Sequence, residues 1–238
     1  MEIDNEINKC YWCNAPATSI EHVPPQNLFP KGNRIELITV KSCDLHNQDF
    51  SKIDERIRFH MTSMGGESEI AKKHFDDKTI RGLSRSESKG LAIDLVQNRF
   101  TTPEGELFSR ENAESWDLYF EKIIRGLFFT CFKEPLNGNT HFYSNKIKML
   151  SLSANAHFYY NLLEEKLSKF WIEGSPKNKK IFDYKYFYNE FENQFFVVMT
   201  FYEYHKVIGI SFPKNRKIDD YSLSYEDFLK GLEEIKLK

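Results

Sequence analysis

The sequence predicts an α+β protein, because helical and strand-like patterns occupy different parts of the chain. Apolar residues recur at helical spacing from Trp116 to Leu127, whereas residues 181–212 are rich in aromatic and β-branched side chains in near alternation. The chain has 238 residues, and 15% of them are aromatic. A chain of this length and composition can bury an ordered core, so we expect a folded protein.

The first predicted unit spans residues 1–62. It contains a short β-branched run, "RIELITV", and a helix in "FSKIDERIRFHM", where Phe50, Ile53, Ile57 and Met61 recur at helical spacing and Ser51 and Asp54 form a candidate capping pair. Because prolines 24, 25 and 30 disfavour regular structure, the stretch between His22 and Ile35 is predicted to be an extended loop.

Residues 63–110 are predicted to be a helical connector, with a helix ending near Phe100 and a turn at 102–105. Residues 111–238 are predicted to form a C-terminal α+β unit. Its first helix carries the stripe from Trp116 and ends before Pro135 and Gly138, "HFYYNLLEEKLSKFWI" follows as a further helix, and two or three antiparallel strands come last.

The charge balance limits the classes of partner. With 33 basic and 35 acidic residues the net charge is −2, which excludes a strongly basic nucleic-acid binder, so any phosphate contact must be local. The N-terminal "MEIDNEINK" lacks the basic and apolar regions of a signal peptide, and no run of eighteen apolar residues occurs. We therefore expect a cytoplasmic protein with no membrane partner.

Two pairs of metal-ligand residues have matching spacing. Cys10 and Cys13 form a CxxC pair, and Cys43 with His46 forms a CxxH pair that starts 30 residues after Cys13. Four nitrogen and sulfur ligands in two such pairs are typical of a closed structural zinc site. The alternative is that these are ordinary buried thiols and a surface histidine.

Three further residues are candidates for chemistry. One zinc ion binding both pairs would bring Glu21 and His22 close to Asn47, which follows the last ligand. A neutral imidazole can take a proton from water, whereas carboxylate and amide oxygens are ligands that suit Mg²⁺. Together these groups would make a minimal one-metal site for phosphodiester hydrolysis.

At these residues the sequence resembles the HNH endonuclease family, over about residues 8–62. The resemblance implies a zinc-stapled ββα-metal fold, with Cys10, Cys13, Cys43 and His46 as the structural zinc ligands. It further implies that His22 is the general base and that Glu21 and Asn47 bind a catalytic Mg²⁺ or Mn²⁺. The implied activity is DNA hydrolysis, with RNA as a weaker alternative substrate.

The sequence departs from the family pattern at two positions. His46 stands where the family more often has Cys, which zinc accepts. The family's middle Asn, which helps to orient the catalytic His, has no counterpart before Cys43, and Thr39 lies nearest to its position. This second departure leaves open an alternative, a zinc-stapled module that binds nucleic acid or protein without catalysis.

Several other residues have competing interpretations. Lys52, Arg56 and Arg58 on the predicted helix are candidates for phosphate contact, or they are ordinary charges of an exposed helix face. His60 is predicted to lie on the helix surface, and Cys131 to be a buried thiol. The aromatic residues of 182–212 are predicted to be core rather than a base-stacking platform.

The sequence is compatible with several roles for the C-terminal unit. Substrate selection, regulation, a protein partner or self-association would each suit a second unit of this size. By analogy alone, a nuclease unit joined to an unfamiliar second half resembles the effectors of antiphage systems and toxins.

Overall fold

In the computed structural model, the N-terminal unit is built on one antiparallel strand pair. The structure describes residues 8–47, 50–63, 68–80, 90, 93, 97–101, 103, 107–109, 111–144, 147, 165 and 167–214. Strand β1 (Ser19–His22) pairs with β2 (Thr39–Ser42), so that Glu21 lies opposite Val40 and His22 opposite Thr39. Because side chains alternate along a strand, Glu21 and Val40 both point into the protein and are buried.

The loop between the two strands is not wholly extended, which corrects the prediction. It contains two 3₁₀ turns, Gln26–Leu28 and Lys31–Asn33, and each follows a proline whose φ is close to −50°. Proline suits this position because its fixed φ matches the start of a helical turn. Only the last two residues of the β-branched run "RIELITV" belong to a strand, since Glu36 has a φ of 48° and β2 begins at Thr39.

The predicted first helix is confirmed as α1 (Ser51–Ser63), so the order of elements in this unit is β1, β2, α1. Helix α2 (Glu69–His74) continues into a π-helical turn, Phe75–Ile80. A short hairpin follows, made of β3 (Arg99–Thr101) and β4 (Leu107–Ser109). Residue 97 is helical and residue 98 is a turn, so the helix predicted to end near Phe100 ends just before β3, and most of its other residues lie outside the described part of the chain.

Helix α3 (Ala113–Phe132) confirms the predicted apolar stripe. The side chain of Asn112 caps its first turn by accepting a hydrogen bond from the backbone N–H of Glu114, and Lys133 ends it in the left-handed conformation with a φ of 60°. Gly126 lets α3 approach the start of the β1–β2 loop, because a Cβ at this position would lie 2.5 Å from Val23 Cγ2.

A five-stranded antiparallel sheet packs against α3. Its order is β5 (Asn139–Ser144), β9 (His205–Phe212), β8 (Gln194–Phe201), β7 (Phe182–Asn189) and β6 (Ile172–Glu173). The three long strands confirm the prediction for residues 181–212. The helix predicted for residues 157–172 lies mostly outside the described residues, and its last residue already belongs to β6.

One apolar core connects the two predicted units. Tyr11, Val23 and Ile57 of the first unit belong to the same buried cluster as Phe120 of α3 and Val197 of β8. The boundaries at residues 62 and 110 stay a prediction, but packing joins the two units directly. None of the described helices is both long and apolar enough to span a membrane.

We predict that Gly209→Ala destabilises the protein by overfilling the contact between α3 and the sheet. A Cβ at residue 209 would lie 2.5 Å from Ile124 Cγ1, so the Ile124 side chain or the helix that carries it must shift, at a cost of about 1–3 kcal/mol. The free energy of unfolding, measured by urea denaturation, checks this. Gly32→Ala is the control, because nothing lies within 4 Å of a Cβ there. Equal stabilities of the two variants would contradict this packing.

Candidate metal centre and adjacent polar site

Two short turns position the four predicted zinc ligands. In the first, the backbone N–H of Cys10 donates to Ala15 O and that of Asn14 donates to Cys10 O, so the chain folds back on itself around Cys13. In the second, β2 leads directly into the 3₁₀ turn Asp44–His46. The backbone N–H of Tyr11 donates to Lys41 O, which fixes the first turn against β2 and brings the two pairs together.

The ligand atoms of Cys10, Cys13, Cys43 and His46 all lie within 4.8 Å of one another. Cys13 Sγ is 3.8 Å from Cys43 Sγ, and His46 Nδ1 is 3.2 Å from Cys43 Sγ and 3.7 Å from Cys10 Sγ. Tetrahedral zinc with ordinary bond lengths separates its ligand atoms by about 3.3–3.8 Å. This Cys₃His cluster could therefore hold one metal ion such as zinc.

The surroundings of Cys10 favour its thiolate form. Burial raises the pKa of this thiol, but hydrogen bonds from the backbone N–H groups of Cys43, Trp12 and Cys13 outweigh burial, so that the net pKa is lowered. The N–H of Trp12 donates to Cys10 Sγ at 3.5 Å. A lowered pKa suits a metal ligand, since the thiolate is the form that binds zinc.

Aromatic stacking connects the Cys₃His cluster to α3. The Trp12 ring stacks on the His46 ring with centroids 4.9 Å apart, and the guanidinium of Arg125 lies 4.9 Å from the centroid of a Trp12 ring. Arg125 in turn donates hydrogen bonds to the carbonyls of Leu136 and Gly138. The Trp12 ring thus orients His46, and Arg125 of α3 in turn holds the Trp12 ring.

Asn47 lies against the strand that carries the Glu-His pair. Its Nδ2 donates to Ser19 Oγ at 2.9 Å and to Ile20 O at 3.3 Å, across 28 and 27 residues of sequence. Asn47 therefore lies beside β1, against the two residues that precede Glu21. Among the described residues, no hydrogen bond joins the Asn47 side chain to the side chain of Glu21 or His22.

The Glu21 carboxylate points inward and is paired with a lysine that sequence reasoning missed. Glu21 Oε1 accepts from the backbone N–H of His22 and lies 3.3 Å from Lys122 Nζ. Lys122 is fully buried on α3, and its Nζ donates to both carboxylate oxygens of Asp54, at 2.9 and 2.7 Å. Asp54, predicted to cap α1, instead forms a buried ion pair with another helix.

Burial controls the ionisation of these carboxyl groups. It raises the pKa of Glu21, although the charge of Lys122 opposes the shift. It also raises the pKa of Asp54 to about 6, again against the effect of Lys122. Desolvation favours the neutral carboxyl, whereas the charge of Lys122 favours the ionised form of both residues.

His22 is half-buried at the end of β1, on the opposite face of the strand from Glu21. Burial lowers the pKa of its imidazole, and the nearby charges of Arg34 and Lys122 lower it further. His22 is therefore neutral at pH 7 and able to accept a proton. The sequence has no middle Asn that could orient His22. The backbone of His22 is instead held by its β-pairing with Thr39.

The basic residues of α1 are placed differently from the sequence prediction. Lys52 is exposed, as a phosphate contact requires. Arg56, however, forms a paired contact with Glu111, through its Nε at 3.1 Å and its Nη2 at 3.0 Å, and Arg58 is buried. Neither arginine belongs to an exposed basic helix face, because each faces another part of the fold.

His60 is not on the helix surface, which corrects that prediction. It is 2% exposed, its Nε2 lies 3.0 Å from Glu111 Oε2, and its ring packs on Trp116. Hydrogen bonds from His60 and Arg56 lower the pKa of Glu111 to about 2, although burial alone would raise it. The helical spacing could not reveal this contact because Glu111 lies 51 residues away. Cys131 is half-buried, and burial raises the pKa of its thiol.

Comparisons with protein families, curated proteins and solved structures found no match to this chain. The geometry of the described residues is therefore the basis for the functional inference.

We predict that Cys13→Ser releases the bound metal ion. A lost thiolate leaves three ligands, and structural zinc stabilises the fold that it holds, so the melting temperature should fall together with the zinc content. Elemental analysis of the purified protein and thermal denaturation measure the two effects. Cys131→Ser is the matched control, because this cysteine is outside the cluster. Equal zinc content in both variants would refute the Cys₃His assignment.

We predict that Lys122→Met destabilises the protein more at pH 8 than at pH 5. Above their raised pKa values, Glu21 and Asp54 would be buried charges without a partner, which costs about 3–5 kcal/mol. As the pH falls through those values, the carboxyls take up protons and the loss shrinks. Urea denaturation at both pH values measures this. The exposed Lys133→Met should change little, and a loss independent of pH would contradict the ion-pair account.

Proposed function

We propose that this chain is a divalent-metal-dependent endonuclease that hydrolyses phosphodiester bonds of DNA. The observation that carries the proposal is the contact of Asn47 with Ser19 and Ile20, beside the Cys₃His cluster. It brings Asn47 next to the strand that carries Glu21 and His22, and the element order β1, β2, α1 supports an HNH-like arrangement. A neutral histidine at the end of β1 is the second supporting feature.

In this proposal each residue has one role. His22 accepts a proton from the attacking water, whose oxygen bonds to phosphorus while the bond from phosphorus to the leaving oxygen breaks. Glu21 and Asn47 are the ligands proposed for Mg²⁺ or Mn²⁺, which would stabilise the charge that develops on the phosphate oxygens. Glu21 would have to turn from its buried position, which faces away from His22, and share its carboxylate between this cation and Lys122. The Cys₃His cluster has no catalytic role and holds the two halves in place.

A second candidate function is a zinc-stapled nucleic-acid-binding module without catalysis. The contact between Glu21 and Lys122 favours it, because an ammonium already neutralises the carboxylate that the nuclease proposal assigns to a metal. The absence of the family's middle Asn from the sequence points the same way. A role in antiphage defence or as a toxin fits either function and rests on analogy alone.

The decisive experiment is plasmid cleavage with Mg²⁺ or Mn²⁺ by the wild type and by His22→Ala. Loss of a general base should slow cleavage about 10²–10⁴-fold. The control is His141→Ala, since His141 is also half-buried on a strand and burial lowers its pKa in the same way. Equal cleavage by wild type and His22→Ala would reject the nuclease. DNA binding without cleavage by the wild type would favour the second candidate.

A further inference from the structure

The three cysteines of the Cys₃His cluster differ in how open they are to solvent. Cys10 is fully buried, Cys43 is half-buried and Cys13 is exposed. Buried structural cysteines are inert, whereas accessible thiolates react with oxidants in solution. Cys13 is therefore the sulfur through which an oxidant can reach this cluster.

The exposed sulfur of Cys13 has a neighbour on the second turn. Cys13 Sγ lies 3.8 Å from Cys43 Sγ. A disulfide bond is about 2.0 Å long, so the two sulfurs have to approach by about 1.8 Å to form one. Cys13 and the following Asn14 are both exposed, so the turn that carries them can shift by this distance without displacing buried side chains.

Cys10 is the other possible partner of Cys13, because the CxxC spacing places it three residues away. Its sulfur is held by other contacts, since it accepts a hydrogen bond from the backbone N–H of Trp12 at 3.5 Å and lies 3.7 Å from His46 Nδ1. Its full burial also keeps it away from reagents in water. The geometry therefore favours a disulfide between the two turns over a disulfide within the first turn.

We propose that Cys13 and Cys43 form an oxidation site, at which a hydroperoxide such as H₂O₂ converts two zinc-binding thiolates into a disulfide. The Cys13 thiolate attacks one peroxide oxygen and the O–O bond breaks, which gives a sulfenic acid and a hydroxide ion. The Cys43 thiolate then attacks Cys13 Sγ, so that the S–S bond forms and a second hydroxide ion leaves. Two thiolates are oxidised and one peroxide is reduced.

This oxidation removes two of the four metal ligands. Cys10 and His46 alone are too few to retain a structural zinc ion, so disulfide formation should release the metal. The inference depends on the predicted zinc site and is independent of the nuclease proposal.

The disulfide would take over part of the work of the metal. Cys13 and Cys43 are 30 residues apart, and a covalent bond between them keeps the first turn attached to the end of β2. Such a bond also restricts the unfolded chain, which stabilises the fold. Oxidation therefore releases zinc while the two turns stay linked, whereas a chelator releases zinc and leaves the cysteines unlinked.

The test treats the zinc-loaded full chain with a small excess of H₂O₂. A colorimetric chelator should detect one zinc ion released per chain, and trypsin digestion without reductant should give a cross-linked product of residues 10–31 and 42–52. Tandem mass spectra that cleave between Tyr11 and Trp12 identify which cysteine of the first peptide carries the bond. Cys131→Ser is the matched control and should release zinc as the wild type does, because Cys131 is outside the cluster.

Two further measurements examine the consequence. Dithiothreitol followed by added zinc should restore the metal content, and the oxidised protein should melt at a higher temperature than reduced protein stripped of zinc by EDTA. A disulfide confined to residues 10–31 would overturn the inference, and so would zinc that stays bound after Cys13 is oxidised. An oxidised protein that melts no higher than the EDTA-treated one would also contradict it. Plasmid cleavage is not used as a readout, so failure of the nuclease proposal leaves these results unaffected.

Discussion

The buried ammonium of Lys122 is the contact on which the arrangement of the N-terminal unit depends. It lies between Glu21 of β1 and Asp54 of α1, and it comes from α3, so three elements meet at one charge. Removing three charged groups from water is unfavourable unless they neutralise one another closely. The contact therefore tolerates little displacement of any of the three elements, and it fixes the strand that carries His22 relative to the rest of the fold.

One turn further along α3, Arg125 fixes the other side of the same unit. It stacks on Trp12, which stacks on His46, and it is itself held by the carbonyls of Leu136 and Gly138. The Cys₃His cluster thus joins the turn of Cys10 and Cys13 to the turn that follows β2, and α3 supports both turns from outside. Such support from a surrounding shell is what keeps metal ligands and neighbouring polar groups in one geometry.

The features that sequence could predict are those carried by spacing within one segment. The CxxC and CxxH pairs, the stripe of α3 and the three long strands each follow from local periodicity or pairing, and the structure contains all of them. Lys122 could not be found in this way, because its partners Glu21 and Asp54 are 101 and 68 residues away. His60 and Arg58 share a helix with exposed charges, and only the packing of other elements distinguishes the buried members from Lys52.

The close approach at Gly126 has an evolutionary consequence. Because residue 126 on α3 touches Val23, the neighbour of His22, the helix and the loop cannot change size independently at this point. A larger residue at 126 is compatible with the same backbone only if residue 23 becomes smaller. Any chain that keeps this helix and this loop in place should therefore change residues 23 and 126 together, as a pair.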